Sequence, residues 1–210
     1  MTFMMTRHTC RSSRVASRLA LIVACGAASV PIATAMGQGA VPIAPAQAAP
    51  HTPAPAVGAD APDFTAAWGD SAGIKATPLV LHDLQQRVVV LAFYPADRTG
   101  GCTIELSRFR DDYTKLFGTG DVVVLPTSTD SVETHVAWAQ EMKFPFSLVS
   151  DLGGKVATMY GSITPGRGNA NRTVFVIGKD GKIAYENLHF VASDDKAYDE
   201  LAAAVKKAVE

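Results

Sequence analysis

Cysteine is scarce in this chain: only Cys10, Cys25 and Cys102 occur among its 210 residues. No two of them have the Cys-x-x-Cys spacing of a dithiol redox site, and no cluster has the ligand spacing of a zinc site. The chain also lacks a Gly-rich phosphate loop and a basic patch with interleaved aromatic residues, so we expect no nucleic-acid partner. We interpret His82 and His189, with His135, as surface or core residues, and we predict no metal and no cofactor.

Acidic residues are absent from the first 59 residues, which contain four arginines between Arg7 and Arg18. An apolar run from Leu19 to Val30 and the triplet Ala33-Thr34-Ala35 follow. A basic start, a short apolar segment and an Ala-x-Ala site predict a secretory signal peptide over residues 1–35. The apolar run is shorter than the about 20 residues of a membrane-spanning helix. We therefore expect an exported protein with no stable membrane insertion of the mature domain. The bacterial periplasm is the location that we prefer.

Three alternatives to this processing remain open. Cleavage after Ala46-Gln47-Ala48 is a second possibility. Ile22-Val23-Ala24-Cys25 resembles a bacterial lipoprotein box, which would make Cys25 a lipid-bearing N-terminus. An N-terminal segment that contains Arg and Ser but no Asp or Glu is also compatible with an organelle transit peptide, although the continuous apolar run in this segment disfavours one.

Residues 36–56 are rich in Ala and Pro and predict a disordered, semi-extended spacer. The folded domain is predicted over residues 57–210. Loss of the four N-terminal arginines would change the formal charge from −1 to about −5, so the mature domain is mildly acidic.

The folded domain alternates apolar runs with segments of helical periodicity. The continuous run from Val88 to Phe93 predicts a central strand buried on both faces. Asp180-Gly181 lies between two apolar runs and predicts a hairpin. Short strands or a hairpin are expected over 57–84, further strands at 122–125 (ending at Pro126), 146–149, 173–177 and 182–185, and helices at 102–117, 131–142, 155–160 and 195–209. This order predicts an α/β layered domain.

Cys102 lies where the buried strand passes through a Gly-containing turn into a helix. Free backbone N–H groups and the positive end of the helix dipole favour a thiolate at that position. The position alone does not decide between a reactive thiol and a buried packing residue.

The neighbours of Cys102 supply the further evidence. Pro95, Thr99 and Cys102 form the pattern Pro-x-x-x-Thr-x-x-Cys, which resembles the active-site signature of the peroxiredoxins, closest to their bacterioferritin-comigratory or Q-type branch. Phe93-Tyr94-Pro95 and Ala61-Pro62-Asp63-Phe64 also resemble phrases of that family. The resemblance covers residue 57 to the C-terminus and implies a thioredoxin-like fold, a central mixed β-sheet flanked by helices.

The resemblance implies a thiol-dependent peroxidase that reduces hydrogen peroxide or organic hydroperoxides through a cysteine sulfenic acid. Cys102 would be the nucleophile. Thr99 would orient the peroxide, Pro95 would shield the sulfur, and the backbone at Gly100 and Gly101 would aim amide donors at the peroxide oxygens.

A fixed cation should complete the site. Asn171-Arg172-Thr173 resembles the family's Arg-containing strand start, which makes Arg172 the candidate. Glu105, in a position where many members have a glutamate, is expected to orient that arginine; a solvated surface carboxylate is the alternative.

The chain departs from the Q-type pattern at two positions. Gly100 replaces a common proline, and Ser107 stands where a resolving cysteine often lies. We therefore expect a one-cysteine mechanism with an external thiol or thioredoxin-like reductant, in a monomer or weak homodimer. A disulfide exchanger and a redox sensor or holdase without peroxidase turnover are the alternative functions.

Overall fold

The computed structural model describes residues 52–210. The predicted signal peptide, its cleavage sites, Cys10, Cys25 and most of the predicted spacer lie outside the described residues. The elements in chain order are β1 (Thr65–Asp70), β2 (Gly73–Ile74), β3 (Leu79–Val80), a 3₁₀ turn (Leu81–Leu84), β4 (Val88–Phe93), α1 (Gly100–Asp111), α2 (Tyr113–Phe117), β5 (Val122–Ser128), α3 (Val132–Met142), β6 (Leu148–Ser150), α4 (Lys155–Met159), β7 (Thr173–Ile177), β8 (Ile183–Asn187) and α5 (Asp195–Val209). No helix within residues 52–210 is both long and apolar enough to cross a bilayer.

The strands form one mixed sheet in the order β2-β1-β6-β5-β4-β7-β8, with β3 paired to β1. β4 pairs in parallel with β5 and antiparallel with β7. β7 and β8 form the predicted hairpin, and Gly181 in its turn has a φ of 76° that favours glycine. The expected α/β domain with a central mixed sheet is confirmed.

β4 is the central strand of the core, as its continuous apolar run predicts. All six of its residues are buried, and alternate side chains enter two separate clusters. Val88, Val90 and Ala92 pack with residues of α1, α2, α3 and α5. The other three pack with α4 and with the β1–β3 region. Helices therefore cover both faces, and the carboxyl end of β4 leads directly to Cys102.

Two predicted boundaries are wrong. The single helix expected over 102–117 is interrupted at Asp112, whose φ of −100° and ψ of 20° separate α1 from α2. Aspartate competes with the helix by local hydrogen bonding, which makes it a suitable residue for such a break. β5 continues through Pro126 to Ser128. The neighbouring strand β6 pairs only with Thr127 and Ser128, so Pro126 lies before the β6 ladder begins.

Smaller differences concern strand ends. β6 begins two residues later than the predicted strand at 146–149, and β8 extends to Asn187. The helix expected after Ser131 is confirmed, and Ser131 caps it by accepting a hydrogen bond from the Thr134 amide. Of the predicted spacer, residues 52–56 are described, and Ala54 packs against the second core cluster. The domain boundary at residue 57 stays a prediction.

Candidate active site

Cys102 occupies the first turn of α1, at the carboxyl end of the central strand. Thr99 is the N-cap residue, and its carbonyl accepts the Thr103 amide at 2.8 Å. The thiol thus lies beside the unpaired amides that open the helix, as the strand–turn–helix pattern predicts. Cys102 has no exposed surface.

Arg172 lies next to Cys102 because of the sheet topology. It directly precedes β7, and Thr173 at the start of β7 pairs with Phe93 at the end of β4. The Arg172 guanidinium donates through Nη2 to Cys102 Sγ at 3.2 Å. Its Nη1 donates to Glu105 Oε2. One planar side chain therefore contacts both the sulfur and a carboxylate, a geometry for which arginine is suited.

The Glu105 carboxyl is fully buried one turn after Cys102. Burial raises its pKa to about 7, although the charge and hydrogen bond of Arg172 act in the opposite direction. Its second oxygen, Oε1, has no hydrogen-bond partner among the described residues. The solvated surface carboxylate that we considered for Glu105 is excluded, and its predicted contact with Arg172 is present.

The electrostatics of Arg172 follow from the same contacts. Burial lowers its pKa, but the charge of Glu105 and the contacts with Cys102 outweigh this effect, and the net pKa lies above the ordinary value. Its side chain is 18% exposed. The site therefore holds a permanent positive charge against the sulfur.

Gly101 permits this close approach. A Cβ at residue 101 would lie 3.1 Å from Arg172 Nη2, whereas a Cβ at Gly100 would meet nothing within 4 Å. Contacts of 3.1 Å to carbon are tighter than most packing allows. Gly101 therefore makes space for the guanidinium, a role that the sequence did not reveal.

Pro95 and Arg172 lie in the wall of a cavity of about 710 Å³. The other lining residues are Thr164, Arg167, Asn169, Ala170, Asn171, Leu188, His189 and Phe190. Cys102 itself has no exposed surface and is not among the residues that line this cavity.

Thr99 lies in the exposed loop between the strand and the helix. Its hydroxyl donates to the Ala96 carbonyl at 3.0 Å. Hydroxyl side chains in turns commonly make such a hydrogen bond to nearby backbone. The oxygen's lone pairs still allow it to accept a hydrogen bond from a peroxide O–H group.

Sequence reasoning missed the group that supports this loop. Asp97 contacts His135, and His135 is a buried core histidine. The two residues are separated by 38 positions, and no local motif connects them. Within residues 52–210, no group of three His, Cys, Asp or Glu side chains is arranged to hold a metal ion.

The comparison with known families gives a direct result. A model described as the AhpC/TSA family matches residues 57–186, more than half of the chain. The chain belongs to the AhpC/TSA family. The peroxiredoxin resemblance inferred from Pro95, Thr99 and Cys102 is thereby confirmed, and so is the thioredoxin-like fold.

Individual relatives agree with this family. A Coxiella burnetii protein whose name assigns it to the bcp peroxiredoxins is 37% identical over 134 residues, covering 61% of this chain and 85% of the relative. The chloroplastic peroxiredoxin Q of Sedum lineare is 40% identical over 113 residues, covering 52% of this chain and 60% of the relative. The alignment with the plant relative thus spans less than two thirds of that protein.

A solved structure gives the same assignment. The peroxidoxin BcpB of Mycobacterium tuberculosis has a TM-score of 0.61 and 31% identity, covering 72% of this chain and 96% of that one. The chain is therefore a peroxiredoxin, an enzyme that reduces peroxides with thiols as the reductant.

We expect Gly101→Ala to lower the second-order rate constant for peroxide reduction by roughly 10-fold, because the new methyl group displaces the guanidinium from the sulfur. Stopped-flow kinetics measure this rate. Gly100→Ala is the matched control and should keep the wild-type rate, since its Cβ would meet open space. Equal rates for the two variants would contradict the assigned contact.

The raised pKa of Glu105 predicts a pH-dependent stability. The pKa is about 7 in the folded protein against 4.5 in the unfolded chain, so the folded state retains the proton longer. The free energy of unfolding should therefore fall as the pH rises from about 4.5 to 7, by on the order of 3 kcal/mol. Urea denaturation across this range measures the effect. Glu105→Gln should remove this part of the pH dependence, and an unchanged profile in the variant would refute the assignment.

Proposed function

We propose that Cys102 is the nucleophile of this peroxidase, that Arg172 holds its thiolate, and that the enzyme uses a one-cysteine mechanism. The observation that supports this assignment is the 3.2 Å contact between Cys102 Sγ and Arg172 Nη2 at the start of a helix. Glu105 fixes the guanidinium from its other side. The guanidinium thus lies against the sulfur, and the thiolate is the nucleophilic form of a cysteine.

The first step is an attack by the thiolate on the distal peroxide oxygen. A sulfur–oxygen bond forms while the O–O bond breaks, and the leaving oxygen takes up a proton to depart as water or an alcohol. Cys102 is oxidised to the sulfenic acid, and the peroxide is reduced. Negative charge moves to the leaving oxygen in this step, and the Arg172 guanidinium stabilises it.

Other residues of the loop orient the substrate. The Thr99 hydroxyl accepts a hydrogen bond from the peroxide while it donates to Ala96. The amides of the first helical turn, including that of Gly101, donate to the peroxide oxygens. Pro95, in the wall of the adjoining cavity, restricts the approach of water to the sulfur.

The second half of the cycle needs an external thiol. This external thiol attacks the sulfur of the Cys102 sulfenic acid, a mixed disulfide forms, and water leaves. A second thiol then releases Cys102 in its reduced form and departs as a disulfide. Ser107 stands where a resolving cysteine would lie, and no cysteine follows Cys102. Cys10 and Cys25 lie in the segment predicted to be removed.

Export and assembly complete the proposal. Residues 1–35 direct the protein out of the cytoplasm, with the bacterial periplasm as the preferred destination; lipid anchoring at Cys25 and an organelle lumen are the alternatives. The mature domain acts as a monomer or a weak homodimer, with a small thiol or a thioredoxin-like protein as reductant.

Cysteine variants of the full chain test the mechanism. Cys102→Ser should abolish peroxide consumption with dithiothreitol, glutathione or thioredoxin as donor, because the nucleophile is lost. The double variant Cys10→Ser/Cys25→Ser should keep the wild-type turnover. Peroxide-treated protein should give a dimedone adduct on Cys102 in mass spectra.

Two results would contradict the proposal. Peroxidase turnover by Cys102→Ser would show that the reaction occurs elsewhere. An intrachain disulfide to Cys10 or Cys25, together with lost turnover in the double variant, would show a resolving cysteine within the chain.

A further inference from the structure

The loop between β4 and α1 contains a buried aspartate that the proposed chemistry does not use. Asp97 lies between Pro95 and Thr99, and its side chain is 3% exposed. His135 of α3, with no exposed side-chain surface, lies beside it. Burial of a carboxylate and an imidazole is costly unless both are paired and hydrogen-bonded. The pair therefore needs a structural explanation.

Both ring nitrogens of His135 face acceptors. Nδ1 lies 2.9 Å from Asp97 Oδ2 and 3.1 Å from Oδ1, and Nε2 lies 3.1 Å from the Val149 carbonyl. Each ring nitrogen is thus within hydrogen-bond distance of an oxygen. His135, which lies in α3, therefore connects Val149 of β6 to Asp97 in the loop before Cys102.

Asp97 has further partners. Its carboxylate accepts the Tyr94 hydroxyl at 2.7 Å, and its own amide donates to Asp130 Oδ2 at 2.8 Å. Asp130 also accepts the Ser128 hydroxyl at 2.8 Å. The loop is thus fixed by groups at the ends of β4 and β5 as well as by α3.

The loop backbone needs such support. Arg98, next to Asp97, has a φ of 60°, in the left-handed region that non-glycine residues rarely adopt. Such a conformation is unfavourable and persists where its surroundings determine it. The Arg98 side chain forms an exposed ion pair with Glu141, and exposed pairs contribute little.

We propose that Tyr94, Asp97 and His135 form a loop clamp that positions Thr99 and the first turn of α1 around the sulfur. The inference rests on the proposed role of Cys102. The three are positioning residues because their hydrogen bonds join them to one another and to β6, so that they act on the site through the loop. Orientation of reacting groups is sensitive, since a misplacement of about 1 Å costs about 100-fold in rate.

Two histidine variants separate positioning from a general structural role. In His135→Asn the amide nitrogen lies near the position of Nδ1 and can still donate to Asp97. In His135→Gln it lies near the position of Nε2 and can donate only to Val149. We expect His135→Gln to lower the rate of Cys102 oxidation by peroxide at least about 10-fold, and His135→Asn to remain closer to wild type. Both rates are taken per folded molecule in the full chain.

Alkylation by iodoacetamide provides the second readout. This reaction needs the thiolate but no oriented peroxide, so its rate should change by less than about 2-fold in His135→Gln. Equal peroxide rates in the Gln and Asn variants would overturn the proposal. Peroxide and alkylation rates that fall together would do the same, since the defect would then lie at the sulfur.

Tyrosine variants keep the test decisive if a histidine variant fails to fold. Tyr94→Phe removes one hydroxyl from Asp97 and retains the ring. Tyr160→Phe is the matched control, because it removes a hydroxyl that donates to the Pro62 carbonyl at 2.9 Å, and Tyr160 packs in the core cluster that does not contain Tyr94. We expect a loss of peroxide rate in the first variant only, and equal rates would overturn the clamp. Activity retained by Cys102→Ser would instead refute the proposed function.

Discussion

The site depends on one guanidinium that contacts a buried sulfur and a buried carboxylate at the same time. Without Arg172, the Glu105 carboxylate would lie in a desolvated position with no counter-charge, a situation that burial makes unfavourable. With it, the carboxyl, whose pKa is still raised to about 7, orients the cation toward Cys102. Gly101 leaves the space that this arrangement needs. The position of the Arg172 guanidinium therefore depends both on its ion pair with Glu105 and on the space left by Gly101.

The sheet brings these distant residues together. Cys102 and Arg172 are separated by 70 positions, yet each lies beside one of two paired strands, after the end of β4 and before the start of β7. The register that places Phe93 opposite Thr173 fixes their separation. All of β4 is buried in the core. The loop from Pro95 to Thr99 follows this strand, and its hydrogen bonds to Tyr94, His135 and Asp130 form the clamp and its surroundings.

Much of this arrangement could be predicted from local sequence. The valine-rich run of β4, the Ser131 cap, the hairpin at Asp180-Gly181 and the motif around Cys102 each act within a few residues. The contact between Asp97 and His135 could not be predicted, because it joins positions that share no periodicity. The elevated pKa of Glu105 was equally hidden, since it depends on burial that only the packed helix creates. The break at Asp112 and the passage of β5 through Pro126 are decided by tertiary packing.

The central claim is tested most directly by single-turnover oxidation of Cys102 in Arg172→Lys, followed by stopped flow. Lysine keeps the positive charge but cannot donate to both the sulfur and Glu105 from one planar group. We predict a rate constant about 100-fold below wild type. The control variant Arg108→Lys in α1, where the arginine pairs with Asp195, should keep the wild-type rate. A wild-type rate in Arg172→Lys would contradict the account, because positive charge alone would then suffice.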